Sequence, residues 1–137
     1  AANGERRLDW HLASDIAPVY ADLDLLQRVM GELLSNACKY TPSRGAIHVE
    51  AAPSSRSGFL RLSVANSCEP IPSQELEKLF DKFYRRQEEM EQHETGTGLG
   101  LSLVKSAVEA SGGEIVARRE RGNLVMELEL PQVGLSA

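Results

Sequence analysis

At 137 residues, the chain is long enough for one domain with a single core and too short to expect two. Hydrophobic residues make up 42% and charged residues 26%, ordinary globular usage, and no run of about 18 apolar residues offers a membrane span. A net charge of -5 opposes nucleic-acid binding, which needs clustered Lys and Arg, and two cysteines are too few for a disulfide scaffold.

No basic stretch leads into an apolar run at the N-terminus, so no secretion signal is expected, and free thiols at Cys38 and Cys68 suit a cytoplasmic setting. Residues 7–12 alternate: Leu8, Trp10 and Leu12 fall on one side, Asp9 and His11 on the other, as in a half-buried strand. Asp22 is placed to cap a helix that runs to about Tyr40, where Thr41-Pro42 and the Ser43-Arg44-Gly45 turn stop it. Ala46–Ala52 and Phe59–Asn66 alternate in the same way across a Ser/Gly-rich loop and predict an antiparallel pair.

Pro72-Ser73 opens a short helix through Leu79, followed by a polar stretch, 87–95, whose one apolar residue is Met90. Gly96-Thr97-Gly98-Leu99-Gly100-Leu101 then leads into a second long helix. Leu101, Val104 and Val108 share a face of it, and Gly112-Gly113 closes it. Glu114–Arg118 and Leu124–Leu130 form a last strand pair, with Leu124, Met126, Leu128 and Leu130 inward. This order predicts an α+β two-layer sandwich: a mixed, mostly antiparallel sheet packed on helices, in a single domain with its core at about 7–131.

Three features interrupt the apolar patterning. On the first helix Leu25, Val29, Met30, Leu33, Leu34 and Ala37 form one arc, and Asn36 falls inside it with Glu32 one turn back and Tyr40 one turn on. A buried amide finds partners or costs about 1–3 kcal/mol, so Asn36 is either a structural hydrogen bond to backbone or a ligand-facing group. Asn66 continues the inward parity of Leu60, Leu62 and Val64, and is either a strand-end turn residue or a second such group. The glycine run before a helix is either a flexible connection or an anion cradle of backbone N–H groups. It lacks the Gly-Lys-Ser/Thr ending of a P-loop. Three intrusions on separate elements point to a shared pocket.

Together these residues resemble the ATPase domain of histidine kinases, in the superfamily that includes gyrase-type and MutL-like ATPases. The resemblance covers roughly Arg7 to Pro131. Glu32-Leu-Leu-Ser-Asn36-Ala-Cys-Lys39-Tyr40 matches the family's asparagine box. It implies that Asn36 coordinates Mg²⁺ bridging the ATP phosphates, with Glu32 beside the metal as base or orienting group, Lys39 near phosphate and Tyr40 near adenine. Leu79–Arg85 resembles the phenylalanine box, whose aromatics anchor a mobile lid at about 84–97 and whose Arg85 reaches the nucleotide or the docked histidine. Gly96–Leu101 resembles the distal glycine box, which implies backbone donors to phosphate from Thr97, Gly98, Leu99, Gly100 and Leu101.

Near the adenine, Asn66-Ser67-Cys68-Glu69-Pro70-Ile71-Pro72 stands where the family has Asp-x-Gly-x-Gly-Ile-Pro. The resemblance therefore assigns adenine contacts to Asn66, Cys68 and Ile71, with an amide replacing the acid and Cys68 and Pro70 replacing glycines. Leu124-Val125 replaces a threonine that often helps to bind adenine through water. None of His11, His48 and His93 suits a phospho-acceptor, because each falls on an outward strand position or in the lid. The implied function is phosphoryl transfer from Mg·ATP to a histidine on separate dimerisation helices, upstream of a response regulator. The domain is expected to be a monomer in isolation, with no nucleic-acid or membrane contact. The altered glycine box motivates a rival, a degenerate module for nucleotide sensing or protein docking.

Overall fold

The computed structural model describes residues 6–14, 23–42, 44–68, 71–81 and 100–132. Asp22, Pro70, Arg85, His93, Thr97, Gly98, Leu99 and the whole expected lid lie outside them. Five strands and three helices are present among the described residues: β1 (Arg7–Leu12), α1 (Leu23–Tyr40), β2 (Ala46–Pro53), β3 (Phe59–Ser67), α2 (Ser73–Leu76), α3 (Gly100–Ala110), β4 (Glu114–Glu120) and β5 (Asn123–Pro131). The short helix expected through Leu79 is one α-turn that tightens into a 3₁₀ turn at Glu77–Phe80, where Leu79 and Phe80 are both buried.

The strands form one sheet in the order β1-β2-β3-β5-β4, with β1 and β2 parallel and the other three pairs antiparallel. A parallel neighbour needs a crossover of a dozen or more residues, which the segment containing α1 supplies. The register matches inward residues across strands: Leu60 with Leu130, Leu62 with Leu128, and Val64 with Met126. Val29, Leu33 and Ala37 of α1 and Val104 and Val108 of α3 close the core on that face. Their spacing of four residues is the stripe that a helix presents to a sheet.

Each helix ends as its sequence dictates. At the end of α1, Thr41 Oγ1 donates back to Ala37 O, and Gly45 N–H donates to Pro42 O at 2.8 Å. After α3, Gly112 adopts φ +84°, its N–H donates to Glu109 O and the Gly113 N–H donates to Val108 O, which is a Schellman closure. Gly113 has a second constraint: a Cβ there would stand 3.3 Å from the carbonyl carbon of Glu129 and closer still to its oxygen.

One expectation is corrected at β1. Leu8, Trp10 and Leu12 point to the helix side of the sheet, yet they are 44%, 59% and 66% exposed. Alternation set their side correctly, but β1 is an edge strand and its packing among the described elements is with β2, beyond the cover of α1 and α3. The opposite face is charged, with Arg118 hydrogen-bonded to Glu127 and Glu120, which raises its pKa above the ordinary arginine value.

Candidate nucleotide site

The site grows from α1. This helix packs against both α3 and β3. Glu32, on the α3 side, is half-buried, and its carboxylate lies against the first residue of α3: a Cβ on Gly100 would be 3.3 Å from Glu32 Cδ and nearer still to Oε2. Only a glycine leaves room for that approach.

Asn36 follows one turn later and is half-buried rather than enclosed by the apolar arc. No described residue hydrogen-bonds its amide, so no structural bond to the described backbone holds it. Lys39 is exposed and Tyr40 half-buried at the end of the same helix. Amide and carboxylate oxygens on successive turns form a hard-oxygen donor set of the kind Mg²⁺ takes, usually completed by water and phosphate oxygens. Among the described residues there is no cluster of three or more His, Cys, Asp or Glu to hold a metal without such help.

At the other end, Asn66 is 1% exposed, and it pairs in register with Ile47 on β2 and Leu124 on β5. Its Nδ2 donates to Ser67 O at 3.0 Å, while its Oδ1 has no partner among the described residues. A buried acceptor in that condition is uncommon and points to a missing donor. Two residues on, Cys68 is half-buried against the core, and its N–H donates to Gly122 O at 3.4 Å. Ile71 is fully enclosed in the core cluster and presents no open surface. Leu101 is half-buried against the same cluster. Val125, on the face away from Asn66, lines a shallow groove with His48, Arg118 and Arg121; it is Leu124 that shares the Asn66 face.

The structure thus brings Glu32 to Gly100 and places Asn66 and Cys68 at the end of β3, while Ile71 lies in the core cluster. Sequence reasoning missed Ser67, whose outward parity hid the part its backbone carbonyl plays toward Asn66; a hydroxyl residue beside a buried amide at a strand end was the available signal.

Residues 21–134 match the family model described as the histidine kinase-, DNA gyrase B-, and HSP90-like ATPase. The chain belongs to this ATPase family. Among curated relatives, the signal transduction histidine-protein kinase BaeS of Escherichia coli is 34% identical over 118 residues, covering 85% of this chain and 25% of BaeS. Among solved structures, the catalytic domain of histidine kinase ThkA superposes with TM-score 0.79 at 28% identity, covering 93% of this chain and 79% of that one. ThkA in complex with the response regulator protein TrrA matches with TM-score 0.76 at 26% identity, over 93% of this chain and 34% of that one. The chain therefore spans about a quarter of the length of the curated relative. No helix among the described residues is long and apolar enough to cross a membrane.

Proposed function

We propose that this is the Mg·ATP-binding catalytic domain of a sensor histidine kinase, which presents the γ-phosphoryl group to a histidine on separate dimerisation helices. The observation that carries the reading is the seating of the Glu32 carboxylate against Gly100, which joins the asparagine-box helix to the end of the glycine-rich segment. Asn36 and Glu32 fit a magnesium ion by the chemistry of their oxygens. When bound, that ion would neutralise charge on the phosphates.

The remaining contribution is positioning, which is most of what an enzyme supplies in phosphoryl transfer. Asn36 would offer its amide oxygen to the metal. Glu32 orients or accepts a proton from the attacking imidazole. Backbone donors of Thr97, Gly98, Leu99, Gly100 and Leu101 hold phosphate oxygens, with Lys39 and Arg85 adding positive charge. Asn66, Cys68, Ile71 and Tyr40 surround the adenine. The lid at 84–97 covers the nucleotide. The domain works in the cytoplasm as a monomer between its own dimerisation helices and a downstream response regulator, touching neither membrane nor nucleic acid. Likeness to BaeS supports the kinase reading, and likeness to ThkA in complex with the response regulator protein TrrA supports the response-regulator partner.

The test is calorimetric titration with ADP and a non-hydrolysable ATP analogue, with and without Mg²⁺, followed by mixing with a histidine-bearing helical hairpin and radiolabelled ATP. Magnesium-dependent binding and acid-labile label on the hairpin are expected. Absence of binding at millimolar nucleotide would sink the reading. Gly100→Ala adds a check: displacement of Glu32 should weaken Mg·ATP binding about tenfold while the fold persists, because the group displaced is the end of a flexible side chain.

A further inference from the structure

We propose that Arg44, Arg119 and Arg121 form a cationic rim that draws anionic nucleotide toward the site at the end of β3. The inference rests on the nucleotide-binding reading above and adds to it how the nucleotide is captured. The chain carries a net charge of -5, so a ligand that brings its own negative charge meets an unfavourable field over most of the surface. Capture at a useful rate then needs a local field of the opposite sign beside the site.

The strand register gathers the three arginines there. Asn66 pairs with Leu124 and Leu124 with Arg119, so Arg119 lies level with Asn66, and its Nη2 donates to Ser73 Oγ at 2.7 Å. Arg121 and Gly122 make the β4–β5 turn, which the Cys68 N–H joins to the end of β3 through Gly122 O. Arg44 stands on the other flank, in the turn that leads into β2, where the Ala46 N–H donates to Ser67 Oγ. Since β2 and β5 are the two neighbours of β3, the strands next to these turns lie about 10 Å apart across the strand end. All three arginines are exposed. Among the described residues no acid pairs with any of them, whereas Arg7 is held by Asp9 and Arg118 by Glu120 and Glu127. The rim's charge is left to act outward.

Two of the three are kept at a cost in backbone energy. Arg44 at φ +68° and Arg121 at φ +49° are the non-glycine residues with positive φ among the described residues. Arg44 is the third residue of the turn that the Gly45 N–H closes on Pro42 O, and Arg121 is the first of a two-residue hairpin turn completed by Gly122 at φ +79°. Glycine, asparagine or aspartate is the usual occupant of such places, because each enters the left-handed region with less strain. Turn geometry alone therefore gives no reason for arginine. A field at the strand end does, since a long cationic side chain on a turn tip carries its charge out to where a diffusing anion first meets the protein.

Stopped-flow association of a fluorescent ADP analogue with Mg²⁺, at low and high ionic strength, tests this. Arg44→Asn combined with Arg121→Asn is expected to slow association about threefold to tenfold at low salt, to leave the dissociation rate unchanged, and to match the unmodified chain near about 0.5 M salt. The same pair should raise the melting temperature of the nucleotide-free domain by about 2 °C, because asparagine sits more easily in the left-handed region. Arg119→Gln should slow association by about twofold. Arg56→Asn removes one charge beside Glu114 at the opposite end of the sheet and should leave association unchanged. A slowing by Arg56→Asn equal to that of Arg121→Asn alone makes the effect one of net charge and overturns the proposal. Unchanged association in the paired variant, faster dissociation in its place, or a melting temperature that fails to rise also overturns it and leaves nucleotide binding standing. Failure of the unmodified chain to bind the analogue at millimolar concentration overturns the nucleotide reading and this inference together.

Discussion

Asn36 and Asn66 both stand where the apolar pattern calls for a hydrophobe, yet the fold treats them oppositely. On α1, Asn36 is half-buried and unpartnered among the described residues, whereas Asn66 is enclosed and has its amine end tied to Ser67 O. A helix-surface amide can adjust to an ion that brings its own waters. A strand-end amide locked by backbone must be right before the ligand arrives, so it suits recognition of a rigid base. The difference shows that one residue type serves adaptable and preset recognition within one domain, according to what surrounds it.

The comparison can be strained by substitutions of decreasing effect. Leu33→Ala, three residues before Asn36 but buried to 1% exposure, supplies the scale of true core burial on α1 and should cost about 2–5 kcal/mol in denaturant unfolding. Asn36→Ala should leave stability within about 0.5 kcal/mol while Mg-dependent ATP affinity falls about a hundredfold. A stability loss approaching that of Leu33→Ala would show that Asn36 is structural after all. Asn66→Leu restores the apolar pattern; unfolding free energy should stay within about 1 kcal/mol of the unmodified chain while ATP binding weakens at least about tenfold. A loss of several kcal/mol there would make Asn66 a structural group and dissolve the contrast. Arg118→Ala on the opposite face should change stability by less than about 1 kcal/mol and leave nucleotide affinity untouched, since its pairs with Glu127 and Glu120 are largely exposed.

Features set by local physics were legible in the sequence. The spacing of Val29, Leu33 and Ala37 announced α1, the Gly112-Gly113 pair announced the Schellman closure of α3, and the parity of Leu124 to Leu130 announced the inner face of β5. Features created by elements meeting over long sequence distances were not legible. That β5 lies between β3 and β4 depends on a crossover no spacing encodes. The seating of Glu32 on Gly100 joins residues on two helices, and the exposure of Leu8, Trp10 and Leu12 depends on where the helix layer ends. At the site, Asn36 and Asn66 were legible as misplaced amides, but the bond that orients Asn66 was not, because an amide's two ends look alike until a neighbour chooses between them.

The exposed edge has a consequence for how unfolding is observed. The chain has a single tryptophan, and it is Trp10, 59% exposed on a strand whose one neighbour among the described strands is β2. Its indole is only partly covered in the native state, so the remaining change in tryptophan fluorescence reports the detachment of β1 from β2 rather than the collapse of the core. Circular dichroism at helical wavelengths follows α1 and α3 instead. An earlier midpoint at Trp10 than in the helical signal would measure how far the edge strand comes loose before the rest of the domain.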